Sequence, residues 1–151
     1  MQLKVCIISI VCFWSAFSVS AGPDAPDSKR QAVPTHAEAA FIITNYSGLF
    51  DRYGMQDAKI DDCVSFLNEH GVYFGLLEVV SGREFTRKDC ARVMGQIRLV
   101  FTGDAEYLAG KVKLPKGVDS WEAFCIMEDI KFVEAYGAIF KAVNRMDETG
   151  R

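Results

Sequence analysis

Apolar residues recur every three or four positions along most of the chain, the spacing that lines one face of an α-helix. The clearest stretch is 85–101. Cys90, Val93, Met94, Ile97, Val100 and Phe101 share one face, while Arg87, Lys88, Arg92, Gln96 and Arg98 fall mostly off it. Thr86 stands at the N-cap, Asp89 can complete a capping box, and Gly103 supplies the stop. A second box, Thr35 with Glu38, opens a stripe running from Ala39 and Ala40 through Ile43 and Leu49 to Tyr53. It predicts a first helix over 36–52, ended near Gly54.

Ile60, Cys63, Val64, Leu67, Phe74 and Leu77 keep helical spacing across Gly71. They predict a helix at Asp61–His70 and leave two continuations open. The spacing slightly favours one long helix to Val80. The alternative ends the helix at Gly71 and makes 72–80 a buried extended or loop segment. Gly71 and Gly75 each weaken a continuous helix by ~1 kcal/mol relative to alanine. Beyond Gly103, Tyr107 and Leu108 fall in a predicted helical turn over 103–110. The alternation of 111–114 before Pro115 reads as an extended connector or a short edge strand. Asp119-Ser120 starts another helix, with Trp121, Phe124, Cys125 and Met127 on its apolar side. Phe132, Val133, Tyr136, Ile139, Phe140 and Val143 mark a last helix to about Arg145. The fold class expected is all-α: a single small domain of four to five amphipathic helices over 35–146, with a frayed tail at 147–151.

The first residues do not belong to that domain. Lys4 precedes an almost wholly apolar run over 5–17, and Ser18-Val19-Ser20-Ala21 offers small residues for cleavage before Gly22. This layout is that of a secretory signal peptide, Met1–Ala21. The run is shorter than the ~20 apolar residues of a spanning helix, so the mature chain is expected to lack a transmembrane segment. Residues 22–34 carry three prolines and no periodicity and read as a flexible linker. The expected location is secreted or periplasmic.

Charge narrows the partners. The whole chain has 17 basic and 20 acidic side chains, a net charge of −3. Loss of the leader removes Lys4 and makes it −4. A mildly acidic protein is poorly suited to coating nucleic acid. Cys63, Cys90 and Cys125 remain in the mature chain, an odd number in an oxidising compartment. One disulfide among the three and three buried thiols are both open.

No motif for chemistry stands out. His36 and His70 are the two histidines. Cys63 and His70 would lie two helical turns apart, ~11 Å, too far for a hydrogen-bonded dyad. No CxxC, HExxH, GxGxxG, GxxxxGK[ST] or GxSxG pattern occurs, so neither metal nor cofactor is expected. Asp57, Asp61 and Asp62, and again Glu128 and Asp129, cluster at predicted helix starts, where acids favour the helix dipole. The charged patch with a possible ligand role is Arg83, Arg87, Lys88 and Arg92, which suits an anionic polymer or an acidic surface, or is simply a solvated helix face.

Residues 61–99 carry Gly71-Val72, Gly75, Gly82 and the helix start Thr86-Arg87-Lys88-Asp89. In this order they resemble a single S-layer-homology module. The aromatic-acidic opening of such modules is missing, and no second module follows. The resemblance implies a cell-wall polymer as partner, with Arg87 as the contacting residue. The leading expectation is an exported, non-enzymatic domain that binds another envelope protein or acts as a scaffold. An envelope-glycan module comes second. An enzyme whose site is assembled from distant residues, with Cys90 or Cys125 as nucleophile, comes third.

Overall fold

The computed structural model describes residues 31–149. The leader Met1–Ala21 and most of the 22–34 linker therefore lie outside the described residues, as do residues 150 and 151. What is described is predominantly helical, with one small hairpin. No helix among the described residues is long and apolar enough to cross a membrane.

The two capping boxes form as read. Thr35 caps α1 (His36–Tyr46): its hydroxyl accepts from Glu38 N, and Glu38 Oε2 accepts from Thr35 N at 2.8 Å. The expected helix over 36–52 does not run through. Ser47 ends α1, Gly48 takes φ 70°, and the short α2 (Leu49–Tyr53) follows. The apolar spacing continues across the interruption, which is why the pattern could not reveal it. Gly54, at φ 65°, closes α2 where a stop was expected.

Helix α3 spans Ile60–Glu69 and stops at Gly71, the less favoured of the two open alternatives. Gly71 turns left-handed at φ 82°, a conformation glycine adopts without the Cβ penalty of other residues. Residues 72–75 are then non-helical, with Val72 and Phe74 fully buried, and the separate α4 (Leu76–Val80) follows. The favoured single helix to Val80 is thus divided.

Helix α5 (Arg87–Thr102) starts on Thr86, with Thr86 and Asp89 forming the reciprocal box, and ends at Gly103. Gln96, expected off the apolar face, is buried. The turn expected around Tyr107 is instead a strand. β1 (Tyr107–Leu108) pairs antiparallel with β2 (Lys111–Val112), with Tyr107 opposite Val112. Ala109 and Gly110 both have positive φ, as a two-residue hairpin turn of right-handed strands requires. Helix α6 (Trp121–Met127) is capped by Ser120, whose Oγ accepts from Ala123 N at 3.1 Å. Helix α7 (Phe132–Thr149) continues past Arg145 into the expected frayed tail.

The core joins Ala39, Ala40 and Ile43 of α1 to Leu67 of α3, Val93 and Ile97 of α5, and Ala135 and Ile139 of α7. Two details fix the frame around the site described below. At the start of α1, an isolated antiparallel bridge pairs Thr35 with Glu84. Phe85 N donates to Pro34 O at 2.7 Å, and His36 N donates to Arg83 O at 3.1 Å. The first turns of α1 and α5 are thereby held side by side. On α5, Gly95 sits against α6. A Cβ there would come within 2.6 Å of Trp121 Cε3, so the missing side chain lets the indole pack against the helix.

Candidate functional site

The tethered starts of α1 and α5 form one wall of a cavity of about 380 Å³. The others come from the segment around Tyr73 and Gly75, from the hairpin and from Trp121. Five separate stretches of chain meet here.

Gln96 organises the floor. It is only 2 % exposed, yet both ends of its amide are hydrogen-bonded. Its Oε1 accepts from Tyr73 N at 3.0 Å and from Arg92 Nη1 at 3.3 Å, and its Nε2 donates to Val112 O at 3.0 Å. One buried side chain therefore ties the Tyr73 segment and the hairpin to α5. This matters because a buried amide without partners would cost ~1–3 kcal/mol. Val112 N reinforces the tie by donating to Gly71 O at 2.9 Å. Arg92 Nη1 also donates to Tyr73 O. Burial pulls the Arg92 guanidinium below its ordinary value, against the charges of Asp89, Tyr73 and Glu78. An arginine remains charged regardless.

The wall contributed by α1 and α5 holds His36, Asp89 and Arg92. His36 is 3 % exposed and lies edge-on to Phe85, with ring centroids 5.2 Å apart. Its Nδ1 is 3.0 Å from Arg83 O. A carbonyl only accepts, so Nδ1 carries the hydrogen. Nε2 then faces Asp89 Oδ1 at 3.9 Å. Asp89 accepts with its other oxygen, Oδ2, from the Thr86 hydroxyl and backbone N–H. Its Oδ1 lies 3.6 Å from Arg92 Nη2. Neither 3.6 nor 3.9 Å is a direct hydrogen bond. Burial pushes the Asp89 carboxyl up, but the Thr86 hydrogen bonds and the charges of Arg92 and His36 outweigh it and hold it below the usual range.

The mouth is mostly basic. Lys111 Nζ sits 3.5 Å from the centre of the Tyr73 ring, Lys113 pairs with Glu106 at 3.4 Å, and Arg83 pairs with Glu78 at 3.6 Å. Arg83, Arg92, Lys111 and Lys113 line the cavity against Glu78 and Asp89, an excess of positive charge in a chain whose net charge is −3. Leu108 completes the lip with apolar surface. Beside it, α4 shares Glu78 with the cavity and leaves Leu76, Leu77 and Val80 exposed by 72, 82 and 77 %.

The basic group read from the sequence divides here. Arg83 and Arg92 reach the cavity. Arg87 lies over the Phe132 ring at 5.6 Å, and Lys88 is exposed and does not line the cavity. Sequence reasoning took Asp89 only as a cap, Gln96 and Trp121 only by their place on helix faces and Lys111 only as part of a connector or edge strand, none of them as a site residue. Paired capping boxes were the available signal, but nothing local says that the two helix starts adjoin.

The other candidates do not converge. His70 turns Nδ1 to Phe66 O at 2.8 Å and lies tilted against the Phe66 ring, centroids 4.3 Å apart. Asp57, Asp61, Asp62, Glu128 and Asp129 are exposed. Cys63, Cys90 and Cys125 are unpaired and fully buried. Burial pushes the Cys63 thiol up, the Cys90 thiol up to about 12 and the Cys125 thiol up to about 11. Among the described residues, no three His, Cys, Asp or Glu side chains are grouped to hold a metal ion. No family model, no curated protein and no solved structure matches this chain.

Proposed function

We propose that the chain is exported and acts as a non-enzymatic domain that binds another protein at the cell envelope, with α4 and the adjoining cavity mouth as the docking face. One observation carries this reading. Leu76, Leu77 and Val80 are each more than 70 % exposed on one five-residue helix, beside a rim of aromatic and basic residues. Single exposed apolar residues are ordinary, but a contiguous set rimmed by polar groups marks contact surfaces. Tyrosine, tryptophan and arginine at the margin are the residue types that anchor such contacts. The leader-like Met1–Ala21 supports export.

The test is affinity capture from an envelope extract of the native host, using the full chain and a Leu77→Glu, Val80→Glu variant. A protein retained by the first and lost with the second is expected. Equal recovery with both removes α4 from the function.

The second reading is a cell-wall polymer as partner, favoured by the exposure of Arg83, Arg87 and Lys88 around the start of α5. Sedimentation with purified cell wall separates the two. Retention that drops with Arg87→Ala supports the polymer, and retention indifferent to that change removes it.

A further inference from the structure

We infer that the cavity is a carboxylate-binding site that takes an aspartate or glutamate side chain from the docked partner. This rests on the protein-binding reading and names the partner's chemistry: an acidic segment with apolar neighbours. Three observations converge on it.

The first is charge. Four cationic side chains and two carboxylates line the space, so an anion is attracted while a cation is opposed by the surplus. Lys111 has no carboxylate partner among the described ion pairs, and its ammonium stands at the mouth against the Tyr73 ring. A carboxylate entering between Lys111 and Arg92 meets a point charge on one side and a guanidinium on the other. Charge-assisted hydrogen bonds of this kind are about twice as strong as neutral ones.

The second is a buried group aimed into the cavity. His36 lines the space, and its ring is almost wholly buried. Its Nε2 lies 3.9 Å from Asp89 Oδ1, and Asp89 Oδ1 has beyond that the 3.6 Å approach of Arg92 Nη2. Two hydrogen-bonding atoms therefore face the cavity with capacity to spare. A backbone N–H flanking the incoming acidic residue supplies the donor that an acceptor pair needs.

The third is the apolar border. Leu108 on one side and the α4 residues on the other adjoin the same mouth. A segment that inserts a carboxylate has apolar surface waiting for its neighbours. Burial of those neighbours excludes water from the ion pair and strengthens it.

The probe is a set of three capped tripeptides, acetyl-Leu-Glu-Leu-amide and its Gln and Lys counterparts. They are titrated at millimolar concentration against the full chain and followed by amide and indole NMR. The Glu peptide is expected to shift the Gln96 side-chain amide, the Val112 amide and the Trp121 indole, the last assigned with Trp121→Phe. Loss of a charged hydrogen bond predicts binding weaker by about tenfold or more for the Gln peptide. Lys111→Glu, an exposed change that leaves the core untouched, should abolish the preference for Glu. Equal shifts from Glu and Gln peptides at α4, with the cavity signals unmoved, overturn the carboxylate site and leave the docking face standing. No shift at α4 or the cavity from any peptide overturns both.

Discussion

A leucine truncated at Leu77 should barely affect stability, whereas one truncated at Leu67 should lower it severely. Full burial of a leucine side chain is worth ~1.5–3 kcal/mol. Leu77 is 82 % exposed, so less than a fifth of that is realised. Leu77→Ala should therefore cost about 0.5 kcal/mol or less, and the usual range for surface changes is similar. Leu67 is 0 % exposed in the core between α1 and α3. Its truncation removes the whole transfer term and leaves a cavity, for a loss of ~2–5 kcal/mol. Urea unfolding followed by circular dichroism measures both, provided the slope against urea is unchanged. The Leu77 variant should unfold close to the native midpoint and the Leu67 variant far below it. A loss near 2 kcal/mol for Leu77→Ala would mean that α4 is packed against the body of the protein. It would then not be a free face, and the docking proposal would lose its support.

Other perturbations read other parts of the account. Gly71→Ala places a Cβ at φ 82° and against the Tyr107 ring and Val112 side chain, so it should cost more than the ~1–2 kcal/mol of the left-handed backbone alone; thermal melting measures it, and a neutral result would mean the α3–hairpin junction is looser than described. Native protein at pH 8 should leave Cys63, Cys90 and Cys125 unreactive to a thiol reagent, because all three are buried and hold their protons, and should label fully on unfolding; prompt labelling of any of them in the native state contradicts this. The Asp89 carboxyl is held below its usual range in the fold, so the unfolded chain takes up the proton first as pH falls. Its stabilisation is complete above the unfolded value near 3.9 and is lost as pH drops through the lower folded value. Asp89→Asn should accordingly flatten the acid limb of a stability–pH curve, and an unchanged limb would mean the Thr86 and Arg92 contacts contribute nothing there.

The helix starts were legible because a capping box is local. Thr35 with Glu38 and Thr86 with Asp89 each lie within four residues, and both form. The break at Ser47-Gly48 was not, because apolar spacing continues through it, and at Gly71 the same spacing left the break as the less favoured of two readings that only the backbone turn decides. The hairpin at 107–112 is too short for alternation to register, and its turn uses Ala109 rather than the asparagine or aspartate that usually announces one. The cavity was the least legible feature. Its residues come from α1, the Tyr73 segment, α5, the hairpin and Trp121, and they meet only because Phe85 N reaches Pro34 O and Gln96 reaches Val112 O. A basic run such as Arg83 to Arg92 shows charge along the chain, but not that Arg87 lies over Phe132 while Arg83 and Arg92 border the cavity.

The proposal that α4 is a contact surface is tested most directly by placing a photo-reactive side chain there. Benzoylphenylalanine is substituted for Leu77, and for the exposed Asn45 on α1 as a control, and the protein is irradiated in its native host. A discrete adduct with another protein from position 77, absent from position 45, is the result expected. No adduct at 77, or the same adducts from both positions, would contradict the account.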